Sequence, residues 1–278
     1  MPAWLEIAVS FIFALSGAAS AYLVSKLKPP YWMLGYFVPL LLLLMIALAR
    51  HYRILAFIPP LSWVMGTRLE YAFLGFLATA VLTAPLTRLS NIAWKTIAVT
   101  LAGIAIGFLS ILPYYDPVEC LDELKAIPTQ IDENGVCSQH TGYTCGPASA
   151  VTALHALGVE SDESAIAIAT KTCPTVGTPP RTLCTVLNRM YGQKGIVCEY
   201  RYFGDVVELR NAVPALAEMK FAFLCDHYVT VLEVTDDSVI VGDPLLGRHS
   251  ISHRAFADQW RGTAIVLRRD KTQNSTEE

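Results

Sequence analysis

Hydrophobic positions run almost without interruption through the first 113 residues, then break into short alternating periods from Tyr114 onward. Four stretches in the first part, residues 3–24, 31–49, 71–87 and 97–112, carry the continuous apolar character of membrane helices. A hydrocarbon core of about 30 Å needs about 20 helical residues, with spans beginning near 17. A fifth stretch, 54–66, is too short to cross alone and carries Pro59 and Pro60, which predicts a broken or re-entrant helix, with a full span as the alternative. The leading residues 1–6 contain an acid and no Lys or Arg, so the first segment reads as an uncleaved anchor rather than a secretion signal. Orientation stays open under the positive-inside rule, because Lys26 and Lys28, Arg50 and Arg53, and Arg88 and Lys95 flank successive segments and conflict. Glu6 and Glu70 lie near the ends of apolar runs, which favours interfacial placement over an intramembrane relay. This half is expected to anchor rather than to transport.

The later periods predict a mixed soluble domain. Val151, Leu154 and Leu157 recur at helical spacing, and Gly158 can close that helix in a left-handed cap. Residues 162–170 and 179–191 read as two further helices, 195–202 as a strand and 205–211 as a short helix. A buried strand over 214–224 leads to the β-branched run 227–234; a turn at 236–238 and a returning strand at 239–243 follow. Residues 114–134 read as an acidic linker with one short helix, so the chain divides into a membrane region 1–113, a linker 114–134 and a domain 135–278.

Composition sharpens that division. The chain is 53% hydrophobic and 16% charged, against about 25% charged for an ordinary soluble domain, which excludes a disordered tail, a fibre or a single soluble globule. Residues 1–113 hold 7 Lys/Arg and 2 Asp/Glu, whereas residues 114–278 hold 14 and 22. A net charge of −3 without a clustered basic surface argues against nucleic acid as a partner.

The candidate chemistry centres on Cys145. Pro147 fits the first turn of a helix, which places Cys145 at or beside a helix N-terminus, where free N–H groups and the helix dipole favour a thiolate. Gly146 would leave room for a substrate backbone, and Gln139, six residues earlier, can offer a side-chain N–H beside the Cys145 backbone N–H to hold an oxyanion. A buried inert cysteine is the competing reading. A nucleophilic thiol needs a base and the base an orienter. Among six histidines, His155 lies ten residues along the same helix, about 15 Å away, and His249 and His253 fall near the end of a hairpin. His227 opens a strand, and Asp243 closes the next one 16 residues later, a spacing that fits a hairpin bringing the two together. Asp243 could then orient the imidazole toward Cys145.

Gln139, Thr144-Cys145-Gly146-Pro147-Ala148, Asp226-His227-Tyr228-Val229 and Val241-Gly242-Asp243-Pro244 together resemble cysteine peptidase family 39, the papain-like bacteriocin-processing peptidases that cut after double-glycine leaders. The resemblance covers roughly residues 130–268, and Phe256, Trp260 and the apolar 264–267 are similar to that family's closing helix and strand. It implies Cys145 as nucleophile, His227 as general base and acid, Asp243 as orienter and Gln139 as oxyanion donor. It also implies a papain-like α+β domain with a helical lobe carrying the Cys and an antiparallel sheet carrying the His and Asp. No cofactor is required, and the partners are a peptide or protein substrate and the lipid bilayer. The expectation is a multi-pass integral protein of a bacterial inner membrane, with the side of the soluble domain open. Well-known members precede an exporter with an ATPase; here the peptidase-like part comes last and no G-x-x-x-x-G-K-[ST] phosphate loop occurs, so export would need a separate transporter or secretion component. Two other functions remain open, an idle papain-like peptide-binding module and an acyl-transfer enzyme such as a transglutaminase or amidase. Cysteines 120, 137, 173, 184, 198 and 225 form an even set that suits up to three disulfides or ordinary buried thiols equally, and no close Cys/His pairing marks a zinc site.

Overall fold

The computed structural model describes residues 3–222 and 225–270. The chain divides into two units, Met1–Glu119 and Cys120–Glu278. That boundary falls inside the stretch expected as a linker, which carries more regular structure than its acidity implied.

The first unit contains α1 (Ala3–Ser25), α2 (Leu34–His51), α3 (Leu69–Thr83), α4 (Ile92–Ile106) and α5 (Leu112–Glu119). Among the described residues four helices are long and apolar enough to cross a membrane, and the expected apolar runs supply them. Residues 54–66 do not form a fifth. They fold as two 3-10 turns, Arg53–Phe57 and Leu61–Trp63, and pack Ala56 and Met65 against Ile46, Ala49 and Leu77. Glu70 is buried at the start of α3, where its carboxylate accepts from Arg50 Nε at 2.5 Å and from the Gly66 N–H at 3.3 Å. Both charged side chains sit at helix ends, and each answers the other's charge.

Small residues set the α1–α3 contact. Ala14, Gly17 and Ala21 are buried on α1, and Ala80 is buried on α3. The Thr79 hydroxyl lies 2.8 Å from the Ala14 carbonyl and that of Thr83 lies 3.4 Å from the Ala18 carbonyl. In a bilayer, where lipid offers no hydrophobic drive for helix association, close backbone approach and such hydrogen bonds would carry the pairing. A Cβ on Gly17 would run into the Phe76 carbonyl oxygen and approach Thr79 Oγ1 to 2.9 Å. Gly17→Leu is therefore expected to destabilise this helix pair by about 3 kcal/mol, seen as a lower thermal midpoint of the full chain in detergent; an unchanged midpoint would mean that the two helices do not pack through this residue.

The second unit begins with α6 (Leu121–Ala126) and a two-stranded antiparallel pair, β1 (Gln130–Ile131) and β2 (Cys137–Ser138). Three helices follow: α7 (Cys145–Ala156), α8 (Glu163–Thr170) and α9 (Pro180–Tyr191). The rest is β3 (Ile196–Tyr202), β4 (Ala215–Ala222), β5 (Cys225–Val234), β6 (Ser238–Asp243), β7 (Gly247–Ser252), α10 (His253–Gln259) and β8 (Trp260–Arg269). The last two residues of the strand expected over 214–224 and the tail 271–278 lie outside the described residues. The six strands from β3 to β8 form one antiparallel sheet in the order β3-β8-β4-β5-β6-β7. Period-two alternation gives the sheet two buried faces. Leu216, Tyr228 and Ile265 join Ala150, Leu154, Leu183 and Leu187 of α7 and α9 in one core. Ala217, Val229, Val231 and Val241 join Phe256 and Trp260 in the other. The sequence expectation of an α+β domain, with a helical lobe and an antiparallel sheet, holds.

Candidate active site

Cys145 is the first residue of α7, and residues 146–154 behind it are all buried. Pro147 costs nothing there, since the first N–H groups of a helix have no intrahelical partner. Two reciprocal bonds dock the helix on β5: the Ser149 hydroxyl donates to the Tyr228 carbonyl at 3.0 Å, and the Thr230 hydroxyl donates to the Ser149 carbonyl at 2.8 Å. Thr152 Oγ1 accepts from the Cys137 N–H at 2.9 Å, which ties β2 to the same helix. Gly242 lets β6 come equally close, because a Cβ there would meet Thr152 Cγ2 and Val136 Cγ2 at 3.0 Å.

Those contacts fix the strand ends that carry the other two candidate groups. Thr230 pairs with Gly242 and Val231 with Val241, so His227 and Asp243 emerge on neighbouring strands. His227 Nε2 lies 2.8 Å from Asp243 Oδ1, and the Leu245 N–H donates to the same oxygen at 2.8 Å. Both side chains are buried. Burial pulls the imidazole pKa down, but the hydrogen bonds to Asp243 and to Cys145 and the negative charge of both outweigh it, and His227 is pushed up to about 9. Burial acts on Asp243 in the opposite sense and is also overcome: His227 and the Leu245 N–H hold its carboxyl below the usual carboxylate range. With Nε2 turned to Asp243, Nδ1 is the ring nitrogen left for the sulfur. The structure thus brings His227 and Asp243 into contact, with Cys145 near enough to help raise the imidazole pKa.

Gln139 is tied to the same place by its backbone, whose N–H donates to the Pro244 carbonyl at 3.1 Å. Its side-chain Nε2 donates to the Thr141 carbonyl at 2.7 Å, which leaves its second N–H uncommitted, while Oε1 is buried without a hydrogen-bond partner. Gly146 differs from expectation. The space its missing side chain leaves is filled by Thr178, whose Cβ would stand 2.9 Å from a Cβ on residue 146, so the glycine serves internal packing rather than substrate access.

Three of the remaining histidines have other employment. His140 Nδ1 and its backbone N–H approach the fully buried Glu163 at 3.3 and 3.4 Å, His249 Nδ1 lies 3.1 Å from the Gly247 carbonyl, and His253 Nε2 lies 3.1 Å from the Thr235 carbonyl. All seven cysteines are free thiols, which decides between disulfides and thiols for the even set. Burial and then Glu163 push Cys137 up to about 12, and burial also raises Cys184 and Cys198, which suits inert packing. Among the described residues no cluster of three or more His, Cys, Asp or Glu could hold a metal ion.

One group near the site was missed in the sequence. Glu218, buried on β4, accepts from Tyr200 at 2.9 Å, Tyr228 at 3.1 Å and Thr263 at 2.5 Å, and the Tyr228 hydroxyl also lies 3.2 Å from the Thr178 carbonyl. The cluster connects β3, β4, β5 and β8 to the loop against Gly146. An acid set among the apolar residues Leu216, Ala217 and Met219 was the available signal.

A thiol at a helix start and an imidazole held by a carboxylate are the groups that a cysteine-type peptidase uses. Residues 133–272 match the model of the Peptidase C39 family, and the chain belongs to that family. An uncharacterized protein of Methanothermobacter marburgensis is 26% identical over 136 residues, covering 49% of this chain and 89% of that protein. One of Methanothermobacter thermautotrophicus is 24% identical over 147 residues, covering 53% and 97%. Among solved structures, a double-glycine-motif protease from an AMS/PCAT transporter, crystallised with its leader peptide, is 14% identical with a TM-score of 0.42, covering 52% of this chain and 99% of that one. The peptidase domain of Streptococcus ComA, a bifunctional ABC transporter of a quorum-sensing pathway, is 19% identical with a TM-score of 0.43, covering 50% and 100%.

Proposed function

We propose that the protein is a membrane-anchored cysteine peptidase that cleaves peptide or protein substrates near the bilayer through Cys145, His227 and Asp243, with Gln139 assisting. The observation that carries this reading is the 2.8 Å contact between His227 and Asp243, joined to the influence of Cys145, at the start of α7, on the same imidazole. With the proton on His227, the Cys145 sulfur attacks the scissile carbonyl carbon. The oxyanion receives the Cys145 backbone N–H and the uncommitted side-chain N–H of Gln139. The C–N bond then breaks as His227 gives its proton to the leaving amine. Water attacks the thioester, His227 takes a proton from it, and the C–S bond breaks to return the sulfur. Asp243 holds the imidazole in position through both steps. The apolar helices of the first unit keep the domain at a membrane, and a separate transport component is the partner that export of the product would need.

Incubating the full chain in detergent with an iodoacetamide or epoxide probe tests the site. Labelling should map to Cys145, vanish in Cys145→Ala and slow sharply in His227→Ala. Labelling indifferent to both substitutions would overturn the scheme. Product masses after incubation with a peptide and a free amine separate hydrolysis, which yields the acid, from acyl transfer, which yields the amide.

A further inference from the structure

The reaction itself assigns a location to one substrate residue. His227 must protonate the leaving nitrogen, so that nitrogen has to come within hydrogen-bond reach of the imidazole, roughly 3 Å. The side chain on the residue bearing it, the first on the C-terminal side of the cleaved bond, therefore rests on whatever flanks His227.

What flanks His227 is apolar. The Phe221 ring packs against the imidazole with centroids 5.5 Å apart and planes at 40°, yet Phe221 is 63% exposed. On the Asp243 side, the turn after the strand is fastened to the carboxylate residue twice: Leu245 N–H to Asp243 Oδ1 at 2.8 Å and Leu246 N–H to the Asp243 carbonyl at 3.2 Å. Leu245 is 51% and Leu246 74% exposed. Single exposed apolar residues need no explanation. Here, half of the large exposed hydrophobics described in the second unit are Phe221, against the His227 ring, and Leu245 and Leu246, in the turn fastened to Asp243 by its backbone; the other three are Ile131, Tyr202 and Val207. The two charged neighbours are engaged elsewhere: Lys220 Nζ donates to the Asp258 carbonyl at 3.0 Å, and Asp226 pairs with Arg261 at 2.7 Å.

We infer that Phe221, flanked by Leu245 and Leu246, forms an apolar subsite on the leaving-group side of the site and selects substrates with an apolar residue immediately after the cleaved bond. The inference rests on the peptidase reading and adds a substrate class to it. A nonpolar side chain there would cover Phe221 and exclude water from the imidazole while it carries the proton. A charged or small polar one would lose that burial.

The test begins with the full chain in detergent and a mixed peptide library, with cleavage positions read by mass spectrometry. Leu, Ile, Met and Phe should be enriched immediately after the cut. From the best substrate, a series differing only at that position should show kcat/KM about tenfold or more higher for Leu than for Ser or Asp. In Phe221→Ser the Leu-to-Ser ratio should fall toward one, whereas Phe221→Leu should keep most of it, which distinguishes loss of the subsite from general damage to the fold. Cleavage without any preference at that position, or a preference that survives Phe221→Ser unchanged, overturns the inference and leaves the peptidase reading in place. No cleavage of any library member, together with no probe labelling of Cys145, overturns the peptidase reading and the subsite with it.

Discussion

Cys145→Ala should lower kcat for peptide hydrolysis on the order of 10⁴-fold or more while leaving the protein folded. The magnitude follows from the proposed role: a nucleophile shared by both chemical steps has no substitute, and what remains after its loss is whatever the oxyanion donors and substrate binding achieve alone. The folding half of the prediction follows from position. Cys145 is only half-buried, and alanine keeps its backbone geometry at the first turn of α7. The helix itself is held by Ser149, Thr152 and the buried residues 146–154, none of which the substitution touches. Measuring single-turnover cleavage beside the thermal midpoint separates the two effects. A variant that cuts within tenfold of the parent would show that the sulfur is not the nucleophile. A variant that unfolds would show that the thiol serves the core instead.

The polar elements of that site differ in how far the sequence reveals them. Cys145 at a helix start was legible because Pro147 and the Val151, Leu154, Leu157 spacing are local signals, and the helix runs Cys145–Ala156 with Gly158 just after it at φ +69°. The His227–Asp243 pairing was legible because a hairpin converts sequence spacing into distance; the strands are Cys225–Val234 and Ser238–Asp243, each beginning a residue or two before the expected 227–234 and 239–243, with a register irregularity between Val231 and Glu233. Gly146 shows where local reasoning fails. Its need for a small side chain is set by Thr178, more than thirty residues away, and nothing in the Cys-Gly-Pro run indicates that contact. Phe221 and Glu218 were hidden for the same reason, since their surroundings come from register across β4, β5 and β8. In the membrane half, the apolar runs gave the long helices by length alone. The fate of residues 54–66 depended on whether the prolines at 59 and 60 broke a helix or only bent one, and composition does not decide that.

Asp243→Asn should reduce kcat by roughly 10²- to 10⁴-fold and move the alkaline limb of the kcat profile toward neutrality by more than one pH unit. Asp243 supplies the strongest of the influences that raise His227 to about 9 from an ordinary 6.5, and it does so against burial, which alone would lower it. An amide keeps a hydrogen-bond acceptor but loses the charge, so burial regains weight and the imidazole gives up its proton at lower pH. Since the leaving amine must take that proton, cleavage should fail above about 9 in the parent and well below it in the variant. Alkylation of Cys145 needs only the thiolate, which alkali does not remove, so probe labelling should persist on the alkaline side where cleavage has stopped. Stability should follow the same groups. His227, with its folded value raised, contributes in full below about 6.5 and loses that contribution as pH rises through about 9. Asp243, with its folded value lowered from 3.8, contributes above that ordinary value and loses it as pH falls through the lowered one. The pair therefore stabilises the parent most between about 4 and 6.5, and the parent's thermal midpoint should decline between pH 6.5 and 9.5 more steeply than that of Asp243→Asn. Superimposable alkaline limbs for parent and variant would mean that Asp243 does not hold the catalytic proton on His227.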